Sequence, residues 1–599
     1  MKSGISFFNA GFFKNNVKRF WPLWAAYFAV LFVTMPLMNM LSGGAAENLF
    51  SLLRGLCGAT CTIAAFIMAI LTAMATFSFM YNTRSVGMIS SMPVRREAVF
   101  TSAFLSGLLP VLAVNVIIAV ITFLSSGTAY KALEAQWILT WLGVWSLQFF
   151  IFYGIAVITA MTTGMLIALP VLYGIFNFLI PGIEMLMRWV LQIFTFGMVD
   201  ASAPFTEFAS PAAFILGHCA DMPMEPPYDH LGRFVAQPLP YLYWGKLLIY
   251  AAVALVLAVI ALLMFRRREI ERTGDVVAVK RLRPVFKYGV TVCSALGLGL
   301  LFYAIFADFG PYSHSSALLM ALTMLFGTLV GYFVSDMLLK KSFHVFRGNW
   351  RGFAVMAVLS VVFVIGCDVD VLGIERYVPD AKNVESITIT NGWHEYNAYT
   401  VTEDFDAVLD LHRAIVANRK EYESDREFMN STEELVRLSY TLKSGRVVSR
   451  CYYLSYDAEK GDPVITDFLD LINSTEAVLQ RYTPDIQVTP EHVVYATAMW
   501  DDWTGKDGEG IHNECSLTPE MMVELYYEAV IPDIRNGGYR TDRELADLVD
   551  VNIYFELCED YQKDPYVTEA LQIRVDPNEP LTIQWLRDNL GWDVYPDKK

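Results

Sequence analysis

No G-x-x-x-x-G-K-[ST] run occurs in the chain, which excludes a P-loop and with it ATP hydrolysis by this chain alone. H-E-x-x-H, G-x-S-x-G and C-x-x-C are missing as well, so the commonest hydrolase and dithiol chemistries have no motif to stand on. TGKDGEG at 504–510 is rich in Gly but has the wrong spacing, and LSGGAAE at 41–47 reads as a Gly-rich turn. WTGKDGEGIHNE at 503–514 fails as a calcium loop, because Trp503 and Gly505 stand where oxygen ligands are needed. The eight cysteines are scattered. Cys57, Cys61, Cys293 and Cys367 fall in or beside apolar runs, where they pack as small hydrophobes. Cys219, Cys451, Cys515 and Cys558 have no metal-ligand spacing, and any disulfide among them has no readable connectivity. The chain is thus expected to hold no metal or cofactor and to be no enzyme by itself.

Charge is scarce, at 18% of residues, whereas 55% are hydrophobic and the mean hydropathy is +0.39. Such a chain is a polytopic membrane protein by composition. Its charge is divided. Residues 1–372 hold 24 Lys and Arg against 16 Asp and Glu, whereas 373–599 hold 21 against 45. The acidic half excludes a nucleic-acid partner, which requires a cationic face.

Nine apolar stretches approach the length of about 20 residues that a bilayer core demands, near 22–41, 57–80, 99–124, 137–161, 164–183, 246–265, 288–307, 316–338 and 353–372. With the N-terminus inside, the inside segments 1–21, 81–98, 162–163, 266–287 and 339–352 carry 19 of the 24 cations of this half. That bias sets the orientation, and nine spans then place 373–599 outside the cell. Residues 5–21 precede the first span as an amphipathic helix lying in the cytoplasmic interface (1–21). Between 184 and 240 two short apolar pieces, EMLMRWVLQIFTFGMVD and APFTEFASPAAFILGH, suit helices that dip in from the outer surface. Polar residues in the spans are few. Asn115, Gln148 and Asn177 are expected to bond between helices, Asn39 lies at an outer end, and Asp336 is expected to pair with Lys340 one turn on. The basic loop 266–287 holds eight cations, which enforce topology.

YNTRSVGMISSMPVRREAVF, 81–100, is the most informative stretch. Ser90 or Ser91 is expected to cap a short helix with Pro93 in its first turn, and Glu97 is placed where an early acid helps a helix. The result is an amphipathic knob with Arg84, Arg95 and Arg96 at the surface. SSMPVRRE resembles the SLPxxRE-type segment that many Firmicute permeases of the ABC-2 transporter type carry before span three, with Met92 in place of the usual Leu. Residues 1–268 resemble those permease subunits throughout, with an interfacial helix, six spans, a coupling loop between spans two and three, and re-entrant helices between spans five and six. The remainder is similar to longer members that add spans and a C-terminal domain.

The resemblance implies an α-helical polytopic membrane domain of about nine spans, an ABC-2-like six-helix core (22–268) plus three (269–372, with the basic loop). A C-terminal α+β extracellular domain follows at 373–599. It implies a permease of the bacterial plasma membrane, most simply an exporter of an amphipathic, peptide-like or lipid-like substrate. A separate cytoplasmic ABC ATPase would bind ATP and Mg, and the permease would pair with itself or a sister permease. Arg84, Met88, Met92, Pro93, Arg95, Arg96 and Glu97 become the ATPase-coupling residues. The alternative is a membrane sensor whose outer domain binds a ligand without transport. In the outer domain, Val436, Leu438, Tyr440 and Leu442 alternate with polar residues in a hairpin turned by KSGR. A helix capped by Thr402 precedes it, with His412 packed on its apolar face, and TPEMMVELYYEAVI begins another with Thr518 as cap. The order strand, helix, two paired strands, helix occurs twice, predicting an internal duplication at about 384–482 and 487–599.

Overall fold

The computed structural model describes residues 7–91, 93–126, 130–198, 206–218, 238–239, 241–268, 274–306, 316–346, 350–391, 398–419, 422, 431–457, 461–502, 511–540, 549–559, 569–575 and 577–594. Among them nine helices are long and apolar enough to cross a membrane: Trp21–Leu41, Ala59–Thr76, Arg96–Ser125, Lys131–Thr162, Ala168–Phe194, Trp244–Arg267, Arg283–Phe306, Ala317–Lys340 and Trp350–Asp368, here spans one to nine. The chain is therefore a multi-pass membrane protein with a C-terminal α+β region.

Span four is the axis of the first bundle. It packs against spans two, three and six and buries Trp137, Trp141, Phe149, Phe152 and Tyr153 completely. Its neighbours expose their outer faces, as Leu248, Val256 and Val259 of span six do, because lipid is as good a partner for them as protein. Spans seven, eight and nine form a second, smaller group joined to the first through span five.

Span five corrects the expected dip at 184. The helix runs without a break from Ala168 to Phe194, with Pro181 inside it. Arg188, a charge inside the first of the two short apolar pieces, pairs with Glu184 one turn earlier at 2.5 Å, so the two charges neutralise each other on the helix wall. The second short piece is a helix, Pro211–Gly217, started by the Ser210 side chain; Pro204 lies outside the described residues, as does the Pro-rich run 221–230. One amphipathic helix, Ala46–Cys57, lies between spans one and two and buries Leu49, Phe50 and Leu53 against span four. Before it, Gly43 and Gly44 both take positive φ in the Gly-rich turn.

The helix expected at the membrane interface spans Ala10–Arg19. Its Asn9 amide donates to Ser102 Oγ at 2.8 Å and Asn16 Nδ2 to Ser106 Oγ at 3.2 Å, which lays it along span three. The polar residues of the spans divide. Asn115 accepts from the Tyr27 hydroxyl at 2.7 Å and donates to Ser146 at 3.2 Å, between helices as expected. Asn177 instead donates to Tyr173 O of its own helix at 2.9 Å, which corrects the expectation for that residue. Asp336 pairs with Lys340 at 2.9 Å and also with Lys287 of span seven at 3.1 Å. Glu134, overlooked in the sequence, is fully buried and accepts from Ser126 Oγ at 2.8 Å.

The C-terminal region has two four-stranded antiparallel sheets. β1 (Val384–Asn391), β2 (Ala398–Val401), β3 (Ser431–Leu442) and β4 (Val447–Asp457) lie in the order β2-β1-β3-β4, and β5 (Val493–Asp502), β6 (Ile511–Ser516), β7 (Val549–Leu557) and β8 (Glu569–Val575) in the order β6-β5-β7-β8. Both sheets thus follow one strand plan, each opening with a hairpin where a single strand was expected. The extra strands β2 and β6 are edge strands of four and six residues, too short to declare a period. Val436, Leu438 and Tyr440 are fully buried, as alternation requires. The first helix spans Asp406–Ala417 and begins at Phe405 with no side-chain cap, so Thr402 does not cap it. Thr518 does cap its helix, accepting from Met521 N at 3.3 Å.

Candidate functional site

Span two ends at Thr76 and passes through a short 3-10 turn, Ser78–Tyr81, whose Phe79 and Met80 are buried. Asn82 then starts the knob helix Thr83–Ser90, its side chain accepting from Arg84 N at 3.0 Å. The cap is therefore Asn82, not Ser90 or Ser91. Ser91 closes the helix instead, its hydroxyl donating to Met88 O at 2.8 Å. Ile89 and Val94 pack on the bundle core. Arg84 and Met88 lie one turn apart on an exposed face, with Met88 60% accessible, and Arg95 and Pro93 are exposed beside them. Pro93 stands before the next helix, outside its first turn, because span three starts at Arg96. Met92 lies outside the described residues.

Arg96 and Glu97 have another partner. The Arg96 guanidinium donates to the backbone carbonyls of Arg266 and Arg268, both at 3.0 Å. These are among the carbonyls that the end of span six leaves without intrahelical donors. Arg266 Nε returns the contact to Glu97 at 3.0 Å, and Glu97 also suits the first turn of span three. The start of span three and the end of span six are thus clasped.

Arg268 extends the clasp. It donates to Ala160 O at 3.1 Å and Thr163 O at 2.8 Å, at the end of span four, and Tyr81 also donates to Ala160 O at 3.0 Å. Backbone pairing then stitches the basic loop to the link between spans four and five, with Gly164 N on Asp275 O at 2.7 Å, Gly274 N on Gly164 O at 2.8 Å and Ala278 N on Thr162 O at 2.8 Å. The Asp275 carboxylate holds Arg283 at 2.9 Å and Lys341 at 2.7 Å. One end of the molecule is therefore a bonded plate, and the Arg84 and Met88 face stands on it.

At the opposite end the chain after span five reaches the first sheet. Met198 forms an isolated bridge with Arg450 of β4, and Cys451 N donates to Gly197 O at 3.1 Å. Phe196 N donates to Glu375 at 3.2 Å, and Phe196 lies 5.0 Å from the Tyr452 ring centre. Behind Tyr452, His412 is fully buried, with Nε2 2.7 Å from the Tyr452 hydroxyl and Nδ1 2.6 Å from that of Tyr440. Burial, and then the charges of Arg450 and Arg413, hold its pKa down at about 4. The neutral ring donates through one nitrogen and accepts through the other, so both bonds are satisfied. His412 is a structural pin and offers no base.

Among the described residues no group of three or more His, Cys, Asp or Glu could hold a metal ion. Residues 503–510 lie outside the described residues. No family model matches the chain, and neither the curated proteins nor the solved structures contain a match.

Proposed function

We propose that the chain is the membrane-spanning permease subunit of an ABC transporter, an exporter of an amphipathic, peptide-like or lipid-like cargo energised by a separate ATPase. One observation carries the reading: a short helix with an exposed Arg84 and Met88 face stands on a plate that clasps spans three, four and six. An apolar and cationic knob suits a groove on a partner. A push on it passes through Arg96 and Glu97 to span six and through Arg268 to span four, so a power stroke has a rigid path. The charge bias supports a cytoplasmic location for this end, where ATP is, with 373–599 outside in this reading. In this reading the permease pairs with itself or a sister chain, and two ATPase subunits bind the two knobs.

A second reading has its own support. The bridge from Met198 to Arg450 ties span five to the outer domain, as a sensor that relays ligand binding without transport would need. Purification from native membranes separates the two. The transporter reading expects a soluble Walker-A ATPase to co-purify and to drive ATP-dependent export after reconstitution. Replacing the 92–97 segment by Gly and Ser removes both. Normal ATPase association and transport in that variant would refute the coupling role.

A further inference from the structure

Span five changes partners along its length. Before Pro181 it leans on the first bundle, where the Tyr173 hydroxyl donates to Phe66 O at 3.2 Å. Beyond it, Val190 and Phe194 pack with Ala295, Met320 and Val364 of the last three spans. Proline interrupts the hydrogen-bond ladder at the point of change. A crevice of about 480 Å³ is left between the first half of span five and span seven. Ile175, Phe176 and Leu179 form one wall, and Gly289, Cys293 and Gly297 lie along the other.

The walls decide what fits. Among the described residues two hydroxyls line the crevice, and both are already used: Thr162 donates to Thr159 O at 2.7 Å and Ser294 to Gly327 O at 2.8 Å. A peptide inside would leave its backbone polar groups unbonded, at a cost of several kcal/mol each. A hydrocarbon chain loses nothing. The two glycines of the wall are not needed for helix contact, since a Cβ at Gly289 or Gly297 would meet no atom within 4 Å. Gly299 differs, because a Cβ there would lie 2.7 Å from Met324. Val277 and Leu282 close the floor, and the exposed Arg281 adjoins Leu282 in a loop of eight cations. Arg283 and Lys287, which follow, are bound to Asp275 and Asp336.

We propose that this crevice binds one acyl chain of an anionic phospholipid from the leaflet on the side of the basic loop, with the headgroup phosphate against Arg281. The inference rests on the chain being a membrane protein and holds whether or not it is a permease.

The test uses the full-length protein in phosphatidylcholine nanodiscs doped with phosphatidylglycerol carrying a diazirine in its acyl chain. Photolabel mapped by mass spectrometry is expected to concentrate on 172–179 and 289–298, several-fold above the exposed face of span six. Gly297→Leu is expected to abolish that excess and leave the span-six signal unchanged. A phosphatidylcholine probe is expected to label the crevice several-fold less, and Arg281→Glu to remove the difference. Uniform labelling of all lipid-facing helices, or an excess that survives Gly297→Leu, would overturn the site. Equal labelling by the two probes would overturn the headgroup assignment. Should Gly297→Leu fail to fold, alkylation of Cys293 in the unmodified protein decides: dioleoyl phosphatidylglycerol is expected to slow its reaction with N-ethylmaleimide several-fold in detergent, and an unchanged rate contradicts the site.

Discussion

Arg96 donates from the first turn of span three to the backbone carbonyl of Arg266 at the end of span six, 3.0 Å away. The residue that looked free to meet a partner is thus part of the plate beneath the knob. Arg96→Ala leaves two helix-end carbonyls to water and removes a charge-assisted bond at an exposed site, a loss of about 1 kcal/mol. A fall of about 1 °C in Tm is expected for a chain of this size, with the knob face still present. An unchanged Tm would mean that the clasp holds nothing.

Gly197 presents a different kind of contact. Its φ is +74°, and a Cβ there would clash with one edge of the Tyr452 ring. Gly197→Val therefore both strains the backbone and displaces the ring, at a cost of about 1–3 kcal/mol. The Cys451 amide, which donates to Gly197 O, is expected to exchange hydrogen much faster in the variant. Unchanged protection of that amide would show that this strap, the segment 195–198 after span five, does not bind the sheet.

Legibility of these features in the sequence follows the range of the forces. The spans are written in long apolar runs, and all nine were found. The end of span five was not, because Arg188 and Gln192 resemble a boundary until Glu184 is seen to neutralise Arg188. The helix Ala46–Cys57 was missed because Glu47 and Arg54 break its apolar pattern, although one face is buried. In the knob, the amphipathic pattern was visible in Arg84, Met88 and Ile89. The clasp was not, since Arg96 and Arg266 are 170 residues apart and no local rule connects them. The same limit hid the strap, whose partners Phe196 and Glu375 lie 179 residues apart.

The pin at His412 gives the C-terminal region a pH dependence. Its pKa falls from 6.5 in the unfolded chain to about 4 in the native one, through burial first and then Arg450 and Arg413. Between those values the unfolded chain binds a proton that the folded chain does not, so stability decreases as pH drops through that window, by up to about 3 kcal/mol. His412→Gln removes this contribution. The protection of the Asp406–Ala417 amides, taken relative to their intrinsic exchange rate at each pH, is expected to fall with acid in the wild type more than in the variant. Equal acid sensitivity of the two would refute the pin.

Orientation is tested with single cysteines in a background lacking accessible thiols. Lys382→Cys in the exposed turn before β1 is expected to react with a membrane-impermeant maleimide in intact cells. Arg84→Cys is expected to react only after permeabilisation. The opposite pattern would reverse the topology, and reaction of both in intact cells would mean an even number of crossings between them.

The central claim is that the Arg84 and Met88 face is where an ATPase docks. The double variant Arg84→Glu, Met88→Asp touches only exposed side chains and is expected to leave Tm within about 0.5 kcal/mol equivalent of wild type. Affinity capture of wild-type chain from native membranes is expected to bring down a Walker-A ATPase, and the double variant to lose it by at least tenfold at normal expression. Capture of the same ATPase in equal amount by the double variant, or of no ATPase by the wild type, would contradict the account.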